Sequence, residues 1–152
     1  MKLGAIAGLT GAAVGGLVAA LAVGFHGFRT PISVLIVGVA SGAACGLLTE
    51  GAIGAFSSAI FGGLGYLWGK FLDVNLHFEE IVVRWLMKTQ PGLSKEVARR
   101  IARVQRSGLT PPKLFKGELS PIDIAWAVAS AALALIIYYA LNRAFRRGED
   151  VG

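Results

Sequence analysis

Residues 3–25 form a long apolar run without a single charged side chain, and this run restricts the fold more than any other feature of the sequence. A transmembrane helix needs about 20 largely apolar residues, whereas the apolar part of a secretory signal peptide has about 7–15. Although Lys2 precedes the run as it would in a signal peptide, we expect a membrane span that is not cleaved.

A second apolar stretch, residues 32–72, is interrupted only by Glu50 and Lys70. One helix of that length would measure about 60 Å, which is about twice the hydrocarbon thickness of a bilayer. A turn is therefore expected at Glu50, giving spans over residues 32–48 and 52–69. The alternative is one span followed by a long helix that projects into solvent or into a partner.

The composition of the whole chain also agrees with a lipid environment. Hydrophobic residues make up 55% and charged residues 16% of the 152 residues, whereas soluble domains have about 25% charged residues.

Ser120 is expected to cap a last helix, because Pro121 follows it and Asp123 can complete a capping box. This helix is predicted to span the membrane over residues 120–147, before a polar tail at 148–152.

The sequence thus predicts an all-α, polytopic membrane protein with about four spans. Residues 1–72 form a membrane domain with three spans, of which the first covers residues 3–25. Residues 73–119 form an amphipathic, basic helical insert before the C-terminal span. A three-span count, with Glu50 inside one helix or in a re-entrant element, remains an alternative.

The insert is predicted to contain two helices and a loop. Because neither proline nor glycine occurs between residues 71 and 90, the third helix should continue beyond the membrane surface to Pro91. Ser94 is a suitable N-cap for a second helix over residues 95–106, with Val97, Ile101 and Val104 as its apolar stripe. Residues 113–118 are predicted to be a surface loop.

The insert is also the basic part of the chain, because residues 70–118 contain ten Lys/Arg and five Asp/Glu. Such a segment is expected on the cytoplasmic side of the membrane. Anionic lipid headgroups are the simplest ligand for a basic helix next to a bilayer, with an acidic protein as the alternative. Nucleic acid is a poor candidate because aromatic residues do not alternate with the basic ones. The expected binding residues are Arg99, Arg100, Arg103 and Arg106.

Small residues recur every three or four positions along the first three predicted spans, which places them on one face of each helix. Glycine inside a helix costs about 1 kcal/mol relative to alanine, so a packing role is expected, as in a glycine zipper. The stripes could pack against each other within the chain. We favour packing against other subunits or identical copies, because several smooth faces exceed what a small bundle can bury. The stripes contain Gly4, Gly8, Gly11, Gly15, Gly38, Gly42, Gly46, Gly54, Ser58, Gly62, Gly65 and Gly69.

Glu50 is an ionisable residue within an apolar stretch, which makes it a candidate intramembrane site. Residues 48–53, with the sequence LTEGAI, weakly resemble the carboxylate region of rotary ATP synthase c subunits. This resemblance implies proton binding at Glu50, although the additional helices, the basic insert and the glycine pattern depart from that family. The alternative is that Glu50 marks a hydrated turn between two helices.

No catalytic set is recognisable in the sequence, so an enzyme, a metal site and a cofactor are not expected. His26 and His77 are isolated from each other, and Cys45 is the only cysteine. The function expected is that of a structural or accessory subunit in a larger membrane assembly. The alternatives are a homo-oligomeric, holin-like pore and, less favoured, an ion-coupled transport component that uses Glu50.

Overall fold

In a computed structural model, which describes residues 2–23, 31–108 and 111–149, the protein is helical throughout and the described residues contain no strand. The all-α prediction is therefore confirmed for this part of the chain. Residues 24–30, which connect the first two predicted spans, and most of the polar tail lie outside the described residues. The helices are α1 (Lys2–Val23), α2 (Pro31–Leu48), α3 (Gly51–Leu76), α4 (Phe78–Thr89), α5 (Lys95–Ser107), α6 (Pro111–Glu118) and α7 (Pro121–Glu149).

Three helices are long and apolar enough to cross a membrane: α2, α3 and α7, the last over Pro121–Phe145. Within the described residues, α1 contributes a shorter apolar stretch, Ile6–Leu21. The α3 and α7 helices are longer than the predicted spans at 52–69 and 120–147, because each continues beyond its apolar part. Three candidate spans among the described helices are compatible with the predicted polytopic membrane protein.

The four long helices form one bundle, in which α2 and α3 lie in the middle, with α1 packed on both and α7 packed on both. Gly11 and Gly15 of α1 both face Ala40 of α2. The order of their neighbours shows that α1 is antiparallel to α2 and parallel to α3. The α2–α3 turn and the C-terminal part of α7 meet at one end of the bundle, here called the turn end. The opposite end, where α3 leads into α4, is called the insert end.

The α2–α3 turn is made by Thr49, Glu50 and the backbone of Gly51, whose φ of +73° is in the left-handed region that favours glycine. Tyr138 of α7 donates a hydrogen bond from its hydroxyl to the Gly51 carbonyl at 2.8 Å. Asn142, one turn further along α7, donates to the Thr49 carbonyl at 3.3 Å. The turn is therefore tied to α7 as well as to its own two helices.

The prediction that the third helix continues to Pro91 is wrong, because the helix breaks at His77. The side chains of His77 and Asp73 are hydrogen-bonded, with 2.9 Å between Nδ1 and Oδ1. Arg106 of α5 donates to the Asn75 carbonyl at 3.2 Å, an acceptor that the amide of Glu79 would occupy in a continuous helix. Side chains from two helices thus stabilise this break, although the sequence has no proline or glycine there.

The α4 and α5 helices form an antiparallel hairpin with its own small core of Val83, Leu86, Ala98 and Ala102. Ser94 caps α5 as predicted, accepting a hydrogen bond from the Val97 amide at 3.4 Å. The predicted apolar stripe holds only in part, because Ile101 packs against this core. Val97 and Val104 are exposed, and the buried side chains are two alanines.

Residues 113–118, predicted to be a loop, belong to helix α6. Pro111 occupies its first position, where the missing amide proton of proline is tolerated. The ring of Phe115 contacts that of Phe71 edge to face, with 5.6 Å between centroids. This contact brings the chain back from the hairpin to α3 before α7 begins.

Candidate functional site

The glycines of α1 face the two central helices of the same chain. A Cβ atom on Gly11 would lie 2.8 Å from the Ala40 carbonyl oxygen, and one on Gly15 would lie 2.9 Å from the Ala40 Cβ. Gly8 faces the ring of Phe61 in α3. Any side chain at these positions would push α1 away from its neighbours.

One glycine of α2 and one of α3, Gly42 and Gly62, converge on Ala134 of α7. A Cβ atom would lie 2.5 Å from the Ala134 carbonyl oxygen if placed on Gly42, and 2.7 Å from the Ala134 Cβ if placed on Gly62. The hydroxyl of Ser58 donates to that carbonyl at 2.9 Å. Ala134, which is itself fully buried, is therefore held between the two central helices.

The remaining stripe residues also lie on the bundle helices. Gly38 faces Leu133, Gly46 faces Leu141, Gly54 faces Tyr138, and Gly65 faces Val37 and Ala12, while Gly69 is buried in α3 and Gly4 lies near the start of α1. The contacts of this set are with helices of the same chain. Packing of the stripes against other subunits or identical copies stays a prediction.

Glu50 is exposed at the turn end, at the N-cap position of α3, where its side chain makes no capping hydrogen bond. It lines a cleft of about 350 Å³ together with Thr49, Asn142 and Phe145. The carboxylate thus lies at the end of the bundle and is not enclosed between helices of this chain, and proton binding at Glu50 stays a prediction.

A buried ion pair, which the sequence analysis missed, lies at the insert end. Lys70 of α3 and Asp123 of α7 have 4.0 Å between Nζ and Oδ1, and their side chains are 7% and 0% exposed. The second carboxylate oxygen of Asp123 accepts hydrogen bonds from the Ser120 amide at 2.9 Å and from the Ser120 hydroxyl at 2.7 Å. Asp123 therefore caps α7 and pairs with α3 at the same time.

Asp73 is one turn beyond Lys70, and its buried carboxylate holds the imidazole of His77 at the helix break. Lys70, Asp73 and His77 are three and four residues apart, so they share one face of α3. In the sequence, this spacing of ionisable residues at the end of an apolar helix is the signal for a buried polar cluster. Lys70 is assigned to the basic insert in the sequence analysis, so the cluster is not predicted there.

The four arginines predicted to bind headgroups do not form one free surface. Arg100 pairs with Glu96 at 3.4 Å, and Arg103 pairs with Glu79 at 3.6 Å. Arg106 donates to the backbone at the α3–α4 break. Arg99 instead lines a cleft between α4 and α5.

This cleft, called the basic cleft below, has a volume of about 720 Å³. Arg84, Lys95 and Arg99 line it without an ion-pair partner in the part of the chain that the structure describes. The complete lining consists of Glu79, Glu80, Val83, Arg84, Met87, Lys95, Arg99 and Arg103.

Other candidate chemistry is sparse. In the described ranges, no group of three or more His, Cys, Asp or Glu side chains could hold a metal ion. Cys45 is buried beside Ala55 and Tyr138, and His26 lies outside the described residues. Comparison with protein-family models, curated proteins and solved structures finds no match to the chain.

Proposed function

We propose that the protein is a non-enzymatic integral membrane protein that acts as a structural or accessory subunit of a larger membrane assembly. In this proposal α1 also crosses the membrane, which brings the number of spans to four. Its 22 residues give a helix about 33 Å long, enough for the hydrocarbon layer. Its packing against both α2 and α3 supports the same placement.

The glycine stripes serve, in this proposal, as a zipper that holds the four spans in a compact unit. Close backbone approach is a main source of helix association in lipid, because hydrophobicity does not drive helices together there. The tight contacts of Gly42 and Gly62 with Ala134 support this role. Partners are then met by other surfaces.

The α4–α5 hairpin is the surface proposed to meet them, and its exposed apolar residues are the observation that supports the proposal. Trp85 is 59% exposed and Val104 is 72% exposed, outside the apolar spans. Exposed apolar side chains mark contacts with proteins or membranes where they form a contiguous patch, and the proposal takes Trp85 and Val104 as parts of one patch. The basic character of the hairpin favours the cytoplasmic side for it.

The test is to extract the native protein in a mild detergent and to measure the mass and composition of the particle that contains it. The expected result is a fixed ratio of this chain to unrelated subunits, reduced by Trp85→Ala combined with Val104→Ala. Phe56→Ala, an exposed position on α3, is the matched control and should leave the ratio unchanged. A particle of identical chains would instead favour the homo-oligomeric pore.

A further inference from the structure

We infer that the basic cleft between α4 and α5 binds the headgroup of an anionic phospholipid, with Arg84, Lys95 and Arg99 as the binding cations. This inference rests on the proposed membrane placement of the chain. It does not depend on whether the protein has partner subunits, and it replaces the four-arginine surface expected from the sequence.

The charge of the cleft selects for an anion. Lys95, Arg99 and Arg103 follow each other at intervals of four residues, so they line one wall from the same face of α5. Arg84 contributes a cation from the α4 wall. Glu79 pairs with Arg103 at 3.6 Å, and Glu80 also lines the cleft, so its four cations and two carboxylates give a net charge of +2 that favours an anionic ligand.

The lining of the cleft suits an amphiphile better than a simple ion. Val83 and Met87 add an apolar surface to the cationic walls. Arginine can donate two parallel hydrogen bonds to one phosphate group. A phospholipid would match both features, because its phosphate can meet Arg84 and Arg99 while its glycerol and first methylene groups contact the apolar surface.

The position of the cleft favours a membrane ligand over an acidic protein. Arg84 is eight residues beyond Leu76, the end of α3, which corresponds to about 12 Å along a helix. This distance exceeds the polar headgroup layer of about 5–8 Å, so Arg84 must extend its long side chain back toward the bilayer to meet a phosphate. The contact between Phe71 and Phe115 also returns the chain to α3 beyond the hairpin, so the hairpin is tethered to the bundle at both of its ends.

Arg100 provides a matched control for Arg99. Both are exposed arginines in the same turn of α5, but Arg100 pairs with Glu96 and does not line the cleft. The two substitutions Arg99→Gln and Arg100→Gln remove the same charge from the protein. They differ in whether the charge is taken from the cleft, and Arg100→Gln additionally removes the exposed ion pair with Glu96.

The experiment titrates the purified, full-length protein in a neutral detergent with phosphatidylserine or phosphatidylcholine and counts bound lipids by native mass spectrometry. Phosphatidylserine should bind more tightly than phosphatidylcholine. Each cation removed from the cleft should weaken phosphatidylserine binding about fivefold, so that Arg84→Gln combined with Arg99→Gln weakens it about 25-fold. Arg100→Gln should have less than about a twofold effect.

Three results would overturn the inference: equal binding of the two lipids, equal effects of Arg99→Gln and Arg100→Gln, or preferential binding of an acidic helical peptide that Arg99→Gln abolishes. Inorganic phosphate at millimolar concentration should not displace the lipid, and displacement would show a simple anion site. Lys95→Gln is a second variant if the double variant does not fold. Because partners are absent from this assay, failure here is distinguishable from failure of the accessory-subunit proposal.

Discussion

The ammonium group of Lys70 lies 4.0 Å from the carboxylate of Asp123, and both side chains are almost completely buried. This pair joins the end of α3 to the first turn of α7. It therefore connects the two helices, α3 and α7, that flank the insert in the sequence.

Removing one member of this pair should destabilise the protein strongly. Lys70→Met leaves Asp123 buried without its cation, which is expected to cost about 3–5 kcal/mol. Thermal unfolding in detergent, monitored by circular dichroism, checks this. Lys88→Met, an exposed position on α4, is the control and should change little.

Combining Lys70→Met with Asp123→Asn should recover most of that loss. The double variant buries no charge at either position, and asparagine keeps a polar side chain near the Ser120 backbone. If the double variant is as unstable as Lys70→Met alone, the pair does not account for the cost.

Replacing glycine by alanine should lower the stability of the protein at Gly42 but not at Gly63. Gly42→Ala places a methyl group 2.5 Å from the Ala134 carbonyl oxygen, so we expect a loss of about 1–3 kcal/mol from overpacking. Gly63→Ala meets its nearest atom at 3.4 Å, so the better helix propensity of alanine should leave stability unchanged or raise it by up to about 1 kcal/mol. Unfolding in a denaturing detergent measures both; equal effects would contradict the proposed packing.

The helix break at His77 should become more open when its brace is removed. Arg106→Gln takes away the long donor that reaches the Asn75 carbonyl, and hydrogen exchange of residues 74–80 should then become faster. Because Arg106 is exposed, we expect a small effect on global stability, below about 1 kcal/mol. Arg100→Gln should leave the exchange of this segment unchanged, and an equal acceleration in both variants would argue against the brace.

Glu50→Gln should change neither stability nor proton permeability. The Glu50 side chain is exposed and makes no capping hydrogen bond, so its charge contributes less than about 0.5 kcal/mol to folding. Proteoliposomes containing either protein should show the same proton flux under an imposed potential. A flux that depends on Glu50 would revive the transport alternative.

Local sequence signals correctly predicted where α5 and α7 begin. Ser94 caps α5, and Ser120 with Asp123 begins α7, because these caps depend on residues within one turn of each other. The α2–α3 turn likewise lies where the apolar stretch is too long for one span. Such features need no knowledge of the tertiary structure.

The features that escaped prediction depend on residues far apart in the sequence. The break at His77 involves Arg106, helix α6 packs through Phe115 on Phe71, and Lys70 meets Asp123 only in the folded bundle. The buried face of α5 was misassigned because alanine permits closer helix contact than valine does. A pattern based on side-chain hydrophobicity alone favours the valines.

The most direct test of the account is the membrane orientation of two introduced cysteines. In a background with Cys45→Ser, Arg100→Cys marks the hairpin and Glu50→Cys marks the turn end, and both positions are exposed. A membrane-impermeant maleimide applied to intact cells and to inverted vesicles labels each from one side only. The account predicts that Glu50→Cys is labelled in intact cells and Arg100→Cys in inverted vesicles, whereas labelling of both positions from the same side would contradict it.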